Sequence, residues 1–72
     1  MTFETLEIIH TLLKENLADK VREREETAKK RDAEEMINEV KYEFYDELAK
    51  RLLHEEFVAR SALEEFEAHH FR

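Results

Sequence analysis

The 72-residue chain contains no cysteine, no glycine, no proline and no tryptophan. Without cysteine there can be neither a disulfide nor a thiolate metal site, and such a chain suits a reducing compartment. Average usage would supply roughly five glycines and three to four prolines at this length. Tight turns, hairpins and bulges depend on those residues, so their absence argues against a β-rich fold. Long apolar runs are missing as well. The longest is Phe57-Val58-Ala59, far short of the roughly twenty residues that span a bilayer. The stretch from Met1 to Glu7 has neither the basic start nor the apolar run of a secretion signal. A cytoplasmic protein without membrane contact is expected.

What remains is dominated by Glu, Lys, Arg, Leu and Ala, the composition of long helices. The expected fold class is therefore all-α. Net charge is −7 and unevenly placed: residues 1–33 hold 8 acids and 7 bases, residues 34–72 hold 11 acids and 5 bases. An acidic half of this kind repels phosphate backbones and attracts basic surfaces. Direct nucleic-acid binding is not expected, whereas a protein partner with a basic surface is.

Thr2 is placed as an N-cap, and Leu6, Ile9, Leu13, Leu17 and Val21 follow at three- and four-residue spacing as one helical stripe. Ile8 and Leu12 lie off that stripe and widen the apolar arc of the first turns. The segment from Arg22 to Glu35 then carries almost nothing apolar. Its Glu25/Lys29 and Glu26/Lys30 pairs support helix to about residue 30. Lys29-Lys30-Arg31 reads as a helix C-terminus, and Asp32 with Glu35 as a capping box that restarts one.

The expectation is a helix over about 3–30, a turn at about 31–33 and a second helix over about 33–70, folded as an antiparallel hairpin in a single domain. One long continuous helix is the alternative, because no Gly or Asn stands where a left-handed C-terminal cap would be. The second helix has two apolar stripes: Ile37, Phe44, Leu48, Leu52, Ala59, Ala62 and Phe66 on one, Tyr42, Ala49, Leu53 and Phe57 on the other. A bend near Arg31 pairs Val21 with Tyr42, Leu13 with Ala49 or Lys50, and Leu6 with Phe57. It leaves Leu63, Phe66 and Phe71 overhanging.

A 72-residue chain lacking disulfides and thiolate sites is near the size at which one core barely stabilises a fold, so self-association is the expected supplement. The simplest form is a homodimer that builds a four-helix bundle. The expected core is Leu6, Ile9, Leu13, Leu48, Leu52 and Phe66. Ile8, Leu12, Tyr42, Leu53, Phe57, Leu63, Phe66 and Phe71 are the expected interface.

Chemistry is sparse. Glu7-x-x-His10 and Glu67-x-x-His70 have the spacing of di-metal carboxylate bundles, but a bend near Arg31 does not bring residue 10 beside residue 70, and no metal is expected. Ser61 and His54 are two turns apart, about 10.8 Å of rise, beyond the reach of a nucleophile and its base. No glycine-rich loop exists to cradle a phosphate, so neither a cofactor nor an enzymatic activity is expected. The acidic run Glu55, Glu56, Glu64, Glu65 and Glu67 offers one sharper possibility, a surface that mimics a nucleic-acid backbone in the basic groove of another protein.

The opening Thr2-Phe3-Glu4-Thr5-Leu6-Glu7-Ile8-Ile9-His10 and the close Ala62-Leu63-Glu64-Glu65-Phe66-Glu67 resemble short uncharacterised helical proteins of Firmicutes bacteria and their phages or mobile elements. No activity comes with the resemblance. It implies a small acidic protein that binds and regulates, or inhibits, a host enzyme. The expected function is thus a non-enzymatic protein–protein interaction module. The alternative is an acidic inhibitor, comparable to an anti-CRISPR protein, of a host defence or regulatory enzyme.

Overall fold

The computed structural model describes residues 2–71. It contains two helices, α1 (Phe3–Glu34) and α2 (Glu39–His70), each of 32 residues, folded back on one another as a hairpin. The molecule measures 53 × 15 × 14 Å, whereas a continuous helix over the same residues would be about 100 Å long. The rod alternative is thereby excluded.

Thr2 does cap α1: its hydroxyl accepts a hydrogen bond from the Thr5 N–H at 3.2 Å. The turn, however, comes later than the charge pattern suggested. α1 runs on through Arg31 and Asp32, and the chain reverses over Glu35, Met36 and Ile37. Glu35 has φ −59° and ψ 128° and Met36 has φ 64°, while the Ile37 N–H donates to the Glu34 carbonyl at 3.0 Å. These are the dihedrals and the bond of a type II turn, whose third residue favours Gly or Asn. Asn38 then caps α2 by accepting from the Lys41 N–H at 3.0 Å. Asp32 caps nothing with its side chain. Being inside α1, it accepts instead from Arg31 Nε at 3.1 Å.

Moving the bend re-registers the whole hairpin. His10 pairs with Glu67 and Arg31 with Asp46; the partners' numbers add to 77 in both, where the expected pairs add to 62 or 63. No overhang remains, since Phe3 and Phe71 now meet with ring centroids 6.5 Å apart. Leu63 is buried, and Phe66 is half-buried against His10.

In this register the inward positions form an unbroken seven-residue repeat on each helix. On α1 it comprises Leu6, His10, Leu13, Leu17, Lys20, Arg24, Thr27, Arg31 and Glu34. On α2 and its cap it comprises Asn38, Tyr42, Tyr45, Ala49, Leu52, Glu56, Ala59, Leu63 and Phe66. All of these are buried or half-buried, and the period is that of a left-handed coiled coil. Ala49, Leu52, Ala59 and Leu63 are the buried apolar residues. Of the expected core, Leu52 is buried, Leu6, Ile9, Leu13, Leu48 and Phe66 are half-buried, and Phe44 of the same stripe points to solvent.

Candidate functional surfaces

The seam changes character along its length. Near the open end it is apolar and aromatic. Toward the turn α1 contributes Lys20, Arg24, Thr27 and Arg31, and α2 answers with carboxylates. Glu56, only 4% exposed, accepts from Arg24 Nε and from Arg60 Nη2, the latter at 3.2 Å. Asp46 accepts from Arg31 Nη1 at 3.2 Å and pairs with Lys50 Nζ at 3.0 Å. Lys20 stands 3.9 Å from Glu55. Among the described residues no buried polar side-chain atom lacks a partner.

These contacts shift the ionisable groups as expected of paired charges. The hydrogen bond from Arg24 holds the Glu56 carboxyl below the usual range against the opposing effect of burial, with Arg60 adding to it. Lys50 and then Arg31 do the same for Asp46. Arg24 is raised in turn by Glu56, Arg31 by its neighbour Asp32 and then by Asp46, and Lys50 by Asp46.

At the open end His10 Nε2 lies 2.8 Å from Glu67 Oε2. The His10 ring packs on Phe66 and Phe71 with centroids 6.0 and 4.7 Å away, and His70 packs on Phe66 at 4.7 Å. Residues 10 and 70 therefore share one end of the molecule, contrary to the placement expected from a bend at Arg31. Among the described residues no three His, Asp or Glu side chains converge as metal ligands.

Two outward-facing apolar pairs at i,i+4 spacing are left uncovered, in addition to the exposed Phe44 and Val58. Ile8 and Leu12 on α1 are 61% and 58% exposed, and Leu53 and Phe57 on α2 are 54% and 65% exposed. Leu53 lines a shallow depression together with Ala28, Ala49 and Arg24. Val21, one heptad before Ala28, belongs to the same side. The turn adds Met36, Ile37 and Val40, of which Met36 is 99% exposed.

The expected interface therefore divides. Ile8, Leu12, Leu53 and Phe57 face solvent, while Tyr42, Leu63 and Phe66 belong to the intrachain seam and Phe71 to its aromatic end. The re-registering of α2 accounts for the change. The expected acidic surface divides too: Glu64 and Glu65 are exposed, but Glu56 is buried between two arginines, Glu55 is half-buried near Lys20, and Glu67 is bonded to His10. Met36, Ile37 and Val40 were missed as exposed residues because the turn was placed before them.

The fold defines a helical hairpin of the antiparallel coiled-coil class. Compared with protein-family models, curated proteins and solved structures, the chain matches none of them. Among the described residues no helix is long and apolar enough to cross a membrane.

Proposed function

We propose that this chain is a non-enzymatic helical assembly module that works as a homodimer, two hairpins packing into a four-helix bundle through the side that carries Leu53 and Phe57. The observation that supports this most is surface area. A compact folded monomer of 8.8 kDa exposes about 4,800 Å². The hairpin exposes 5663 Å², an excess of roughly 900 Å². A standard protein–protein interface takes about 800 Å² from each partner. The excess thus has the size of one side of a dimer interface.

The side of Leu53 and Phe57 suits a contact between identical surfaces. Ala28 is small and Val21 apolar, and the neighbouring charges Asp46, Lys50, Glu56 and Arg60 are already matched within the chain. Sedimentation or light scattering should give twice the chain mass for the native protein. Leu53→Lys together with Phe57→Lys should give the mass of one chain. A native protein that is monomeric at high concentration and still melts cooperatively would overturn the proposal. The acidic-inhibitor alternative gains nothing comparable, because three of its five carboxylates are engaged within the hairpin.

A further inference from the structure

Ile8 and Leu12 stand two residues before and two after the seam residue His10, about 200° round the helix from it. They face away from α2. Leu53 and Phe57 each follow a seam residue by one, so they lie to the side of the hairpin. A symmetric contact through the side of Leu53 and Phe57 leaves the α1 pair uncovered and open to a different occupant.

Its surroundings indicate which. The shallow site over Ile8 and Leu12 is lined by Glu4, Glu7, Thr11 and Glu15. None of the three carboxylates has an ion-pair partner among the described residues. Glu4 also answers the positive end of the α1 dipole, but Glu7 and Glu15 lie beyond its first turn. Packing this site against its own copy across a two-fold axis would set three unpaired carboxylates against three, and such like-charge contacts are penalised. Packing it against a cationic segment would match them.

We infer that the Ile8–Leu12 face of α1 docks a basic amphipathic helix of another protein, with apolar side chains on Ile8 and Leu12 and cations on Glu4, Glu7 and Glu15. Glu4 and Glu15 are eleven residues apart, about 16 Å along the axis. The complementary helix therefore carries Lys or Arg about three turns apart with leucine-type residues between them. The site is separate from the side that carries Leu53 and Phe57, so the two proposals stand or fall independently.

The test uses the full chain and a fluorescent eighteen-residue Leu/Lys amphipathic peptide, with its Leu/Glu counterpart as a control, followed by anisotropy. The Leu/Lys peptide should bind, and the Leu/Glu peptide should not. Affinity should fall as salt rises. Ile8→Gln with Leu12→Gln should weaken binding at least tenfold without changing the molar mass of the free protein. Glu64→Gln with Glu65→Gln, which removes two charges elsewhere, should weaken it less than twofold. If the double glutamine variant at positions 8 and 12 loses helicity, the triple variant Glu4→Gln, Glu7→Gln, Glu15→Gln serves instead and should weaken low-salt binding at least fivefold. Equal loss from the α1 and α2 variants would mean general attraction to an acidic protein, and would overturn the inference. So would a fall in molar mass on changing Ile8 and Leu12, which would make a second copy the occupant.

Discussion

Replacing Met36 with glycine should make the hairpin more stable, although Met36 is the most exposed large apolar residue among the described residues and the change removes no buried contact. The side chain stands at the third position of a type II turn with φ 64°, where a Cβ costs about 1–2 kcal/mol. Glycine removes that cost but loses more backbone entropy on folding, about 0.5–1 kcal/mol. The net gain is about 0.5–1 kcal/mol. For a domain of this size each kcal/mol moves the melting temperature by about 4–8 °C, so Met36→Gly should raise it by about 2–8 °C. Thermal denaturation followed by circular dichroism at one fixed protein concentration reads the difference, the fixed concentration being needed if the protein dimerises. Met36→Ala keeps the Cβ and should give no gain; Met36→Asn, whose side chain tolerates this region of φ, should fall between. A melting temperature lowered by Met36→Gly would mean that the methionine side chain is held in a contact, and the turn account would be wrong.

Acid should destabilise the hairpin through its seam. Folded Glu56 and Asp46 are held below their ordinary values, so the stability they contribute is complete above the unfolded values of about 4 and lost as pH falls through the lower folded ones. Glu56→Gln with Asp46→Asn should flatten that acid limb in melts taken from pH 6 to pH 2; an unchanged limb would assign it to other carboxylates. Leu63→Ala, deep in the apolar half of the seam, should cost about 2–3 kcal/mol, measured by urea denaturation. A loss under 0.5 kcal/mol would mean that this half is not packed as described.

Fold class and the first helix were legible because they rest on composition and on a cap, Thr2, that does cap. The turn was not, because the usual marker is displaced. A methionine occupies the position that asks for Gly or Asn, and the asparagine two residues on serves as the next helix's cap. Asn38 was the available signal, a strong N-cap residue just before an α2 that needed one. The seam was hidden for a related reason. Searching for apolar residues alone finds Leu6, Ile9, Leu13, Leu17 and Val21 and stops. Admitting His10, Lys20, Arg24, Thr27 and Arg31 reveals a strict alternation of four- and three-residue steps through the charged segment that had looked merely solvated. Buried charge is rare enough that no reading by hydrophobicity ranks Arg24 or Glu56 inside. The error in the turn then carried over to the sites, since a shifted register exchanges buried for exposed positions on α2.

The two halves of the seam do different physical work. Ion pairs taken from water regain in attraction about what they lose in hydration, so the Arg24–Glu56–Arg60 cluster contributes little net stability, while a slip along the repeat would leave its charges unpaired. It fixes register. Stability has to come from apolar burial, and beside that cluster the hairpin buries little: among the described residues α1 offers Thr27 as its buried residue, and α2 adds one leucine, Leu52, and two alanines, Ala49 and Ala59. Leu53 and Phe57 sit at this level, the immediate neighbours of Leu52 and Glu56, and are turned outward. In the proposed dimer, a second hairpin laid over them would add apolar burial where the intrachain seam supplies least and would further exclude water from the Glu56 pairs. On this account dimerisation and the integrity of the charged half are one equilibrium. Breaking the Leu53–Phe57 contact should therefore loosen residues 20–31 and 46–56 in hydrogen exchange before it affects the aromatic end around His10 and Phe66, and uniform loosening along both helices would refute the coupling.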